Sequence, residues 1–472
     1  MRKTKIVCTV GPAVDAPEMM AALVNGGMNV ARFNFSHGKH EDHLVRANLV
    51  REQAAKAGKN VTMLLDTKGP EIRLGLFKDG RAELVKGQKF TLTTTECECD
   101  STRAFVNYAG LPADVKAGDT IMIDDGLINM TVEKVDGNDV VCVVHNSGVV
   151  TNRKKANVPD VALNLPSMTE QDKADILFAA KNDFDYIAVS FVRKKEDLIE
   201  IYDFLKANGG EGIQLIAKIE NREGVDNIDE IIETGDGIMV ARGDLGVEVP
   251  FEEIPLHQKS IIEKCNAAGK VVITATQMLE SMVVNPRPTR AEVTDIANAV
   301  FDGTDATMLS AETAGGAHPI AAVETMAKIA LHTETNIDYW GEACFADIDE
   351  DDDSILNATA HAAYIAAANV KAGAIVAVTR NGCIARNIAK FRPACPVIAI
   401  TNNPRTYRQL NLSWGVVPVL VEGKTAEELA DASAKIALGT TLVKSGDKAV
   451  IVAMSGDCGT DALSGGIGVA KL

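Results

Sequence analysis

The chain has 472 residues, 46% of them hydrophobic and 24% charged, with a formal net charge of -17. That length calls for two to four domains, because single cores rarely grow past roughly 250–300 residues. The acidic field excludes nucleic-acid binding through general electrostatics, and no signal-peptide core or apolar run of the ~20 residues a membrane span needs is seen.

Along the first 340 or so residues, short apolar runs end in polar residues or glycine. They are Lys5–Val10, Met28–Phe35, Val61–Asp66, Tyr186–Phe191, Gln214–Ile219, Gly237–Ala241, Val271–Thr276 and Thr307–Ser310. Amphipathic stretches separate most of them, among them Glu41–Ala57, Glu170–Lys181, Lys195–Ala207, Glu253–Ala268 and Ala291–Phe301. Strand alternating with helix eight times over predicts an α/β fold whose parallel sheet closes into a (β/α)8 barrel. The rhythm breaks once, after the third strand, where β-like runs such as Phe90–Thr94, Thr120–Ile123 and Val140–Val144 are separated by glycine turns. This segment reads as an inserted β-barrel lid, because the strand-to-helix loops lie on the catalytic face. The acidic stretch Asp347–Asp353 reads as a solvated linker. A third, α/β domain follows, with a helix near Ser354–Asn369 and strands at Ala374–Thr379, Val397–Thr401, Val416–Val421 and Lys448–Ala453. The expected partition is a barrel domain over 1–69 and 167–343, a lid over 70–166 and a C-terminal domain over 344–472.

Cys8, Cys97, Cys99, Cys142, Cys265, Cys344, Cys383, Cys395 and Cys458 form no CxxC pair. All are expected to be reduced thiols in a reducing compartment, which places the protein in the cytoplasm.

Chemistry in such a barrel sits at the C-terminal ends of the strands. The second ends in Arg32-Phe33-Asn34-Phe35-Ser36-His37, and the third in Asp66-Thr67-Lys68-Gly69-Pro70-Glu71-Ile72-Arg73. The fifth carries Lys218-Ile219-Glu220, the sixth Arg242-Gly243-Asp244, the seventh Thr276 and the eighth Ser310-Ala311-Glu312. Glu220 and Asp244 end adjacent strands, and two carboxylates completed by substrate oxygens and water are how Mg²⁺ is commonly held. The competing reading is a buried acid pair answered by Arg242 or Lys218. Asn34, Ser36, Asp66 and Thr67 offer oxygens suited to a hard cation, while Arg32 and Arg73 suit phosphate. His40 and His43 read as the solvated start of a helix.

Taken together, the phrases TKIVCTVGP, MNVARFNFSHG, LLDTKGPEIR, AKIEN, DGIMVARGDLGVE, ITATQMLESM and NPRPTRAEVTDIANAVFDGTDA resemble the pyruvate kinase family in order and spacing. The resemblance implies a barrel with a β-rich lid after its third strand, an α/β C-terminal domain and a homotetramer. It also implies phosphoryl transfer from phosphoenolpyruvate to ADP, giving pyruvate and ATP, with Mg²⁺ (or Mn²⁺) and K⁺. By matching motifs, the catalytic residues would be Lys218, Thr276 and Arg32. Arg32, Lys218, Gly243, Asp244 and Thr276 would bind the substrate, Glu220 and Asp244 the Mg²⁺, and Asn34, Ser36, Asp66 and Thr67 the K⁺. Asn34, His37, Arg73 and a lid lysine would meet the nucleotide. Glu71 stands where, in this family, a glutamate goes with K⁺ dependence.

Two departures accompany the resemblance. The lid stretch usually resembles KGVNLPG and here reads Lys154-Lys155-Ala156-Asn157-Val158-Pro159-Asp160, with Lys154 aligning best as the nucleotide lysine. In the C-terminal domain, Ile384 replaces a hydroxyl donor, and the loop Ser455–Asp461 carries carboxylates where a phosphate would sit. Both disfavour a fructose-1,6-bisphosphate response. Two other readings use the same barrel. A Mg²⁺-dependent oxo-acid lyase would not need the lid, Arg73 or the K⁺ oxygens, and a non-catalytic metabolite sensor would not need Lys218 and Thr276.

Overall fold

The computed structural model describes residues 1–341, 354–455 and 464–472. The acidic stretch Asp347–Asp353 and most of the loop Ser455–Asp461 lie outside the described residues. Eight parallel strands close into a barrel. In chain order they are Lys5–Thr9, Val30–Asn34, Thr62–Asp66, Tyr186–Val189, Gln214–Ile219, Gly237–Ala241, Val271–Ala275 and Ala306–Leu309. Residues facing outward from these strands, such as Ile6, Phe33, Leu65, Ile187, Leu215 and Val272, join the surrounding helices in one large core. Those facing inward, such as Val7, Val30, Leu64, Tyr186, Ile216 and Met239, fill the barrel itself. Alternation along each strand splits the two sets.

The fourth and seventh strands stop short of their expected ends for a backbone reason. The fourth ends at Val189 because Phe191 turns to φ 59°, and the seventh ends at Ala275 because Thr276 and Gln277 take φ 69° and 54°. Left-handed backbone at non-glycine residues costs roughly 1–3 kcal/mol each and is kept where the surroundings enforce it. At the seventh strand Arg242 does the enforcing. Its guanidinium donates to the carbonyls of Ala275 (3.1 Å) and Thr276 (2.6 Å) and pairs with both oxygens of Asp295 at 2.7 and 2.8 Å.

The insert after the third strand has its own core, including Leu84, Phe90, Leu92, Ile121, Met130, Val140 and Val150. It contains a six-stranded sheet and a two-stranded ribbon, Arg81–Leu84 with Gly148–Thr151. A separate core is what allows an inserted domain to move as a unit.

The C-terminal domain is a five-stranded sheet flanked by helices such as Ile355–Val370 and Ala426–Gly439. One of its strands escaped the sequence reading: Ser464–Lys471 runs antiparallel to Lys448–Ser455 at the sheet edge. Gly465, Gly466 and Gly468 dilute its β signal, and its apolar residues Ile467 and Val469 are left exposed. Among the described cysteines, six are free thiols, whereas Cys383 is disulfide-bonded, which corrects the expectation that all would be reduced.

This domain closes the N-terminal end of the barrel. Leu412 inserts among the inward-facing barrel residues, and Tyr186 donates to the Gln409 carbonyl at 3.1 Å. Arg392, 1% exposed, pairs with Asp305 at 2.9 Å and lies 4.9 Å over the Trp414 ring. Arg408 pairs with Asp185 at 2.7 Å. With this end plugged, the opposite mouth is left for chemistry.

Candidate active site

The mouth is organised around one ammonium group. Lys218, near the end of the fifth strand, places Nζ 3.1 Å from Asp66, 2.9 Å from Glu220 and 2.7 Å from Ser190 Oγ. Burial alone would lower its pKa, but Asp66 and Glu220 outweigh burial and hold it above the usual lysine range. It is therefore a fixed cation at neutral pH.

Asp66 ends the third strand and is 1% exposed. It stays ionised despite burial because Arg32 and Lys218 both face it. Arg32 Nε donates to Asp66 at 2.6 Å and its Nη1 donates to Thr9 Oγ1 at 2.8 Å, which fixes the guanidinium plane. Asn34 lies in direct register with Asp66 on the neighbouring strand. Asn34 Oδ1 accepts from the Ser36 amide at 3.1 Å, and Thr67 Oγ1 accepts from the Ser190 amide at 3.1 Å. His37 is exposed at the rim.

Glu220 and Asp244 form the acidic side. Burial raises the Glu220 pKa against the pull of Lys218, and one of its oxygens accepts from the Phe191 amide at 2.8 Å. Asp244 opens the short helix Arg242–Glu248, and Lys155 of the lid holds it ionised against burial. Lys155 Nζ donates to Asp244 at 2.5 Å and sits 4.5 Å over the Phe191 ring. The acid pair is thus answered by Lys218 and Lys155, whereas Arg242 is spent on Asp295 and the Thr276 turn. Thr276 Oγ1 accepts from the Gly243 amide at 2.7 Å and donates to the Ala275 carbonyl at 2.6 Å.

The lid lysine that meets Asp244 is Lys155, the neighbour of the one that the motif favoured for the nucleotide. Lys154 turns away and pairs with Asp124 at 2.7 Å. Successive residues of an extended chain point to opposite faces, so only one of two adjacent lysines can enter the mouth. Arg73 lies at the lid hinge, paired with Glu71 at 2.7 Å and donating to the Arg153 carbonyl at 2.8 Å. Thr9 and Ser190 were missed in the sequence; the strand-end rule, applied also to the first and fourth strands, would have found both.

Fold and site define a lidded (β/α)8 barrel enzyme whose mouth pairs buried carboxylates with fixed cations. Comparison with known proteins narrows this class. The family profile "Pyruvate kinase, barrel domain" matches residues 1–323, and "Pyruvate kinase, alpha/beta domain" matches residues 357–463. The chain is 50% identical over 459 residues to a pyruvate kinase of Clostridium acetobutylicum, covering 96% of each. It is 49% identical to one of Geobacillus stearothermophilus, covering 96% of this chain and 77% of that one. A crystal structure of a pyruvate kinase from Cryptosporidium parvum superposes with a TM-score of 0.91 at 40% identity, covering 98% of this chain and 96% of the other. The chain belongs to the pyruvate kinase family and is a phosphotransferase.

Proposed function

We propose that the mouth around Lys218 transfers the phosphoryl group of phosphoenolpyruvate to ADP, giving pyruvate and ATP. The observation that carries this reading is a buried, permanently charged ammonium set between Arg32 and the Glu220–Asp244 pair. Phosphoryl transfer asks mainly for positioning and for fixed charge where charge develops. Arg32 would bind the phosphate of the incoming substrate, and the first-turn amides of Gly243 and Asp244 its carboxylate. Lys218 Nζ would stabilise the transferring phosphoryl group and the enolate oxygen left behind. Thr276 Oγ1 would position the water that protonates the enolate methylene carbon. Arg73, Asn34, His37 and a lid lysine would meet the nucleotide.

The acid pair fits a divalent cation, since in this structure each carboxylate is met by a lysine ammonium group, Lys218 on Glu220 and Lys155 on Asp244. Mg²⁺ or Mn²⁺ bound at Glu220 and Asp244 would supply charge neutralisation for the substrate oxygens. Asn34, Ser36, Asp66 and Thr67 are an all-oxygen set appropriate to K⁺. A coupled assay with purified protein, phosphoenolpyruvate, ADP, Mg²⁺ and K⁺ should show ATP formation; its absence would overturn this function.

Turnover is expected to drop about tenfold or more when K⁺ is replaced by tetramethylammonium at constant ionic strength, the size of effect seen when a fixed charge near a transition state is removed. Equal rates in the two salts would remove K⁺ from the site.

Ile384 is 2% exposed and packs in the core of the C-terminal domain, so its side chain offers a phosphate no donor. We therefore expect fructose-1,6-bisphosphate to leave half-saturation by phosphoenolpyruvate within about twofold, a change below ~0.5 kcal/mol. A large drop would refute that expectation.

The assembly we propose is a homotetramer joined through the barrel and C-terminal domains. Exposed Phe251, Leu256 and Val284 support self-association. Among the described residues no helix is long and apolar enough to cross a membrane, and we assign the protein to the cytoplasm.

A further inference from the structure

Away from its hinge, the lid makes its shortest polar contacts with the barrel mouth through two side chains of one short segment. Asn157 lies two residues beyond Lys155, so both point the same way from an extended chain. Their partners on the helix Arg242–Glu248 are Asp244 and Glu248, four residues apart and hence on one helical face. Asn157 Nδ2 donates to Glu248 Oε1 at 2.5 Å, beside the Lys155–Asp244 contact. On the lid side, Ala156–Asn157 is hydrogen-bonded into the lid sheet, with Asn157 opposite Met122. A pull on this segment is therefore a pull on the whole lid.

Other lid contacts are weaker or lie at the hinge. Arg222 reaches Asp160 only at 3.6 Å, and the Asp160 side chain is 72% exposed, a pairing worth little in water. Arg193 holds the Leu163 carbonyl at 2.9 Å, where the chain returns from the lid to the barrel. Asn157, by contrast, is 4% exposed, and its Oδ1 is buried without a hydrogen-bond partner. A charge-assisted bond in a partly buried contact is strong, but an unsatisfied amide oxygen lowers the net gain from closing. That combination suits a catch that must engage and release in every cycle.

We propose that Asn157 and Glu248 form the latch of the lid and act as positioning residues for the transfer, holding the Lys155 segment over Asp244 while the nucleotide is bound. This rests on the reading of the mouth given above. Neither residue touches the reacting atoms; they act by setting how much of the time the lid is closed. Glu248→Ala and Asn157→Ala should each raise KM for ADP about tenfold and lower kcat, with KM for phosphoenolpyruvate nearly unchanged because its contacts lie on the barrel. The double variant should cost no more than either single one. Glu248→Gln keeps the acceptor and should recover at least half of the lost kcat.

Amide hydrogen exchange of residues 154–160 in the full-length protein, without substrates, supplies a readout that needs no turnover. Both alanine variants should speed exchange there by about tenfold while leaving the barrel strands protected. Unchanged exchange, additive losses in the double variant, or equal losses in Glu248→Gln and Glu248→Ala would each overturn the latch. If the wild-type chain made no ATP while the exchange result held, the functional reading would fail and the lid contact would stand.

Discussion

Lys218→Met is expected to lower kcat by about 10³-fold or more while leaving much of the affinity for phosphoenolpyruvate in place. The ammonium is buried between Asp66 and Glu220, whose charges keep it protonated. Its charge is therefore present before the reaction and needs no solvent reorganisation to meet the developing enolate. Arg32, the other residue proposed to bind phosphate, stays tied to Asp66 and Thr9 in the variant. Substrate binding thus survives while transition-state stabilisation is lost. Removing a buried cation could also loosen the fold, but Asp66 retains Arg32, and Glu220 retains the Phe191 amide and the nearby charge of Lys155. Steady-state kinetics with a thermal melt separates the two effects. A kcat within about tenfold of wild type would remove Lys218 from the mechanism.

The second large effect is structural. Arg392→Met should destabilise the protein by about 3–5 kcal/mol, because it strands a buried carboxylate whose positive partner has gone. Among the described residues, the Asp305 carboxylate would keep the amides of Val272 and Trp414 as its hydrogen-bond donors. Arg392 also donates to Asn266 and to the Gly303 carbonyl and covers the Trp414 ring, so the barrel floor loses several contacts at once. The denaturant midpoint should fall, with kcat preserved under conditions where the protein stays folded, because this contact lies at the opposite end of the barrel from Lys218. A loss below about 1 kcal/mol would mean that the floor contact is dispensable.

The two predictions differ in how much of their basis is visible without coordinates. Lys218, Glu220 and Asp244 stand at the ends of strands whose eightfold rhythm predicts a barrel, and barrel geometry alone gathers strand ends at one mouth. Arg392 carries no such signal. It follows a helix in a domain whose docking surface no local pattern encodes, and its partner Asp305 is 87 residues away in the chain. The same limit explains the lid lysine. Lys154 and Lys155 are neighbours with the same chemistry, and motif matching favours Lys154. Which of them enters the mouth depends on how the lid is rotated onto the barrel. That rotation also meets Asp244 and Glu248 with Lys155 and Asn157.

Arg242 shows the limit from another side. In the sequence it is a candidate charge partner of the Glu220–Asp244 pair, yet it turns back to Asp295 and braces the left-handed turn at Thr276 and Gln277. The turn itself is unreadable in sequence, because neither Thr nor Gln announces positive φ as glycine does. The edge strand Ser464–Lys471 is hidden for the opposite reason: its glycines suggest a loop, and only pairing with Lys448–Ser455 makes it a strand.

Periodicity and strand-end chemistry, read along the chain, were sufficient for the barrel, the inserted lid, the third domain and the set of polar groups at the mouth, because each depends on residues close in sequence. Tertiary packing alone decided which charges meet, which lid lysine points inward, and that Leu412 and Arg392 close the floor. Those outcomes depend on the relative placement of domains with separate cores, and that placement is set by long-range burial and charge pairing rather than by any local pattern.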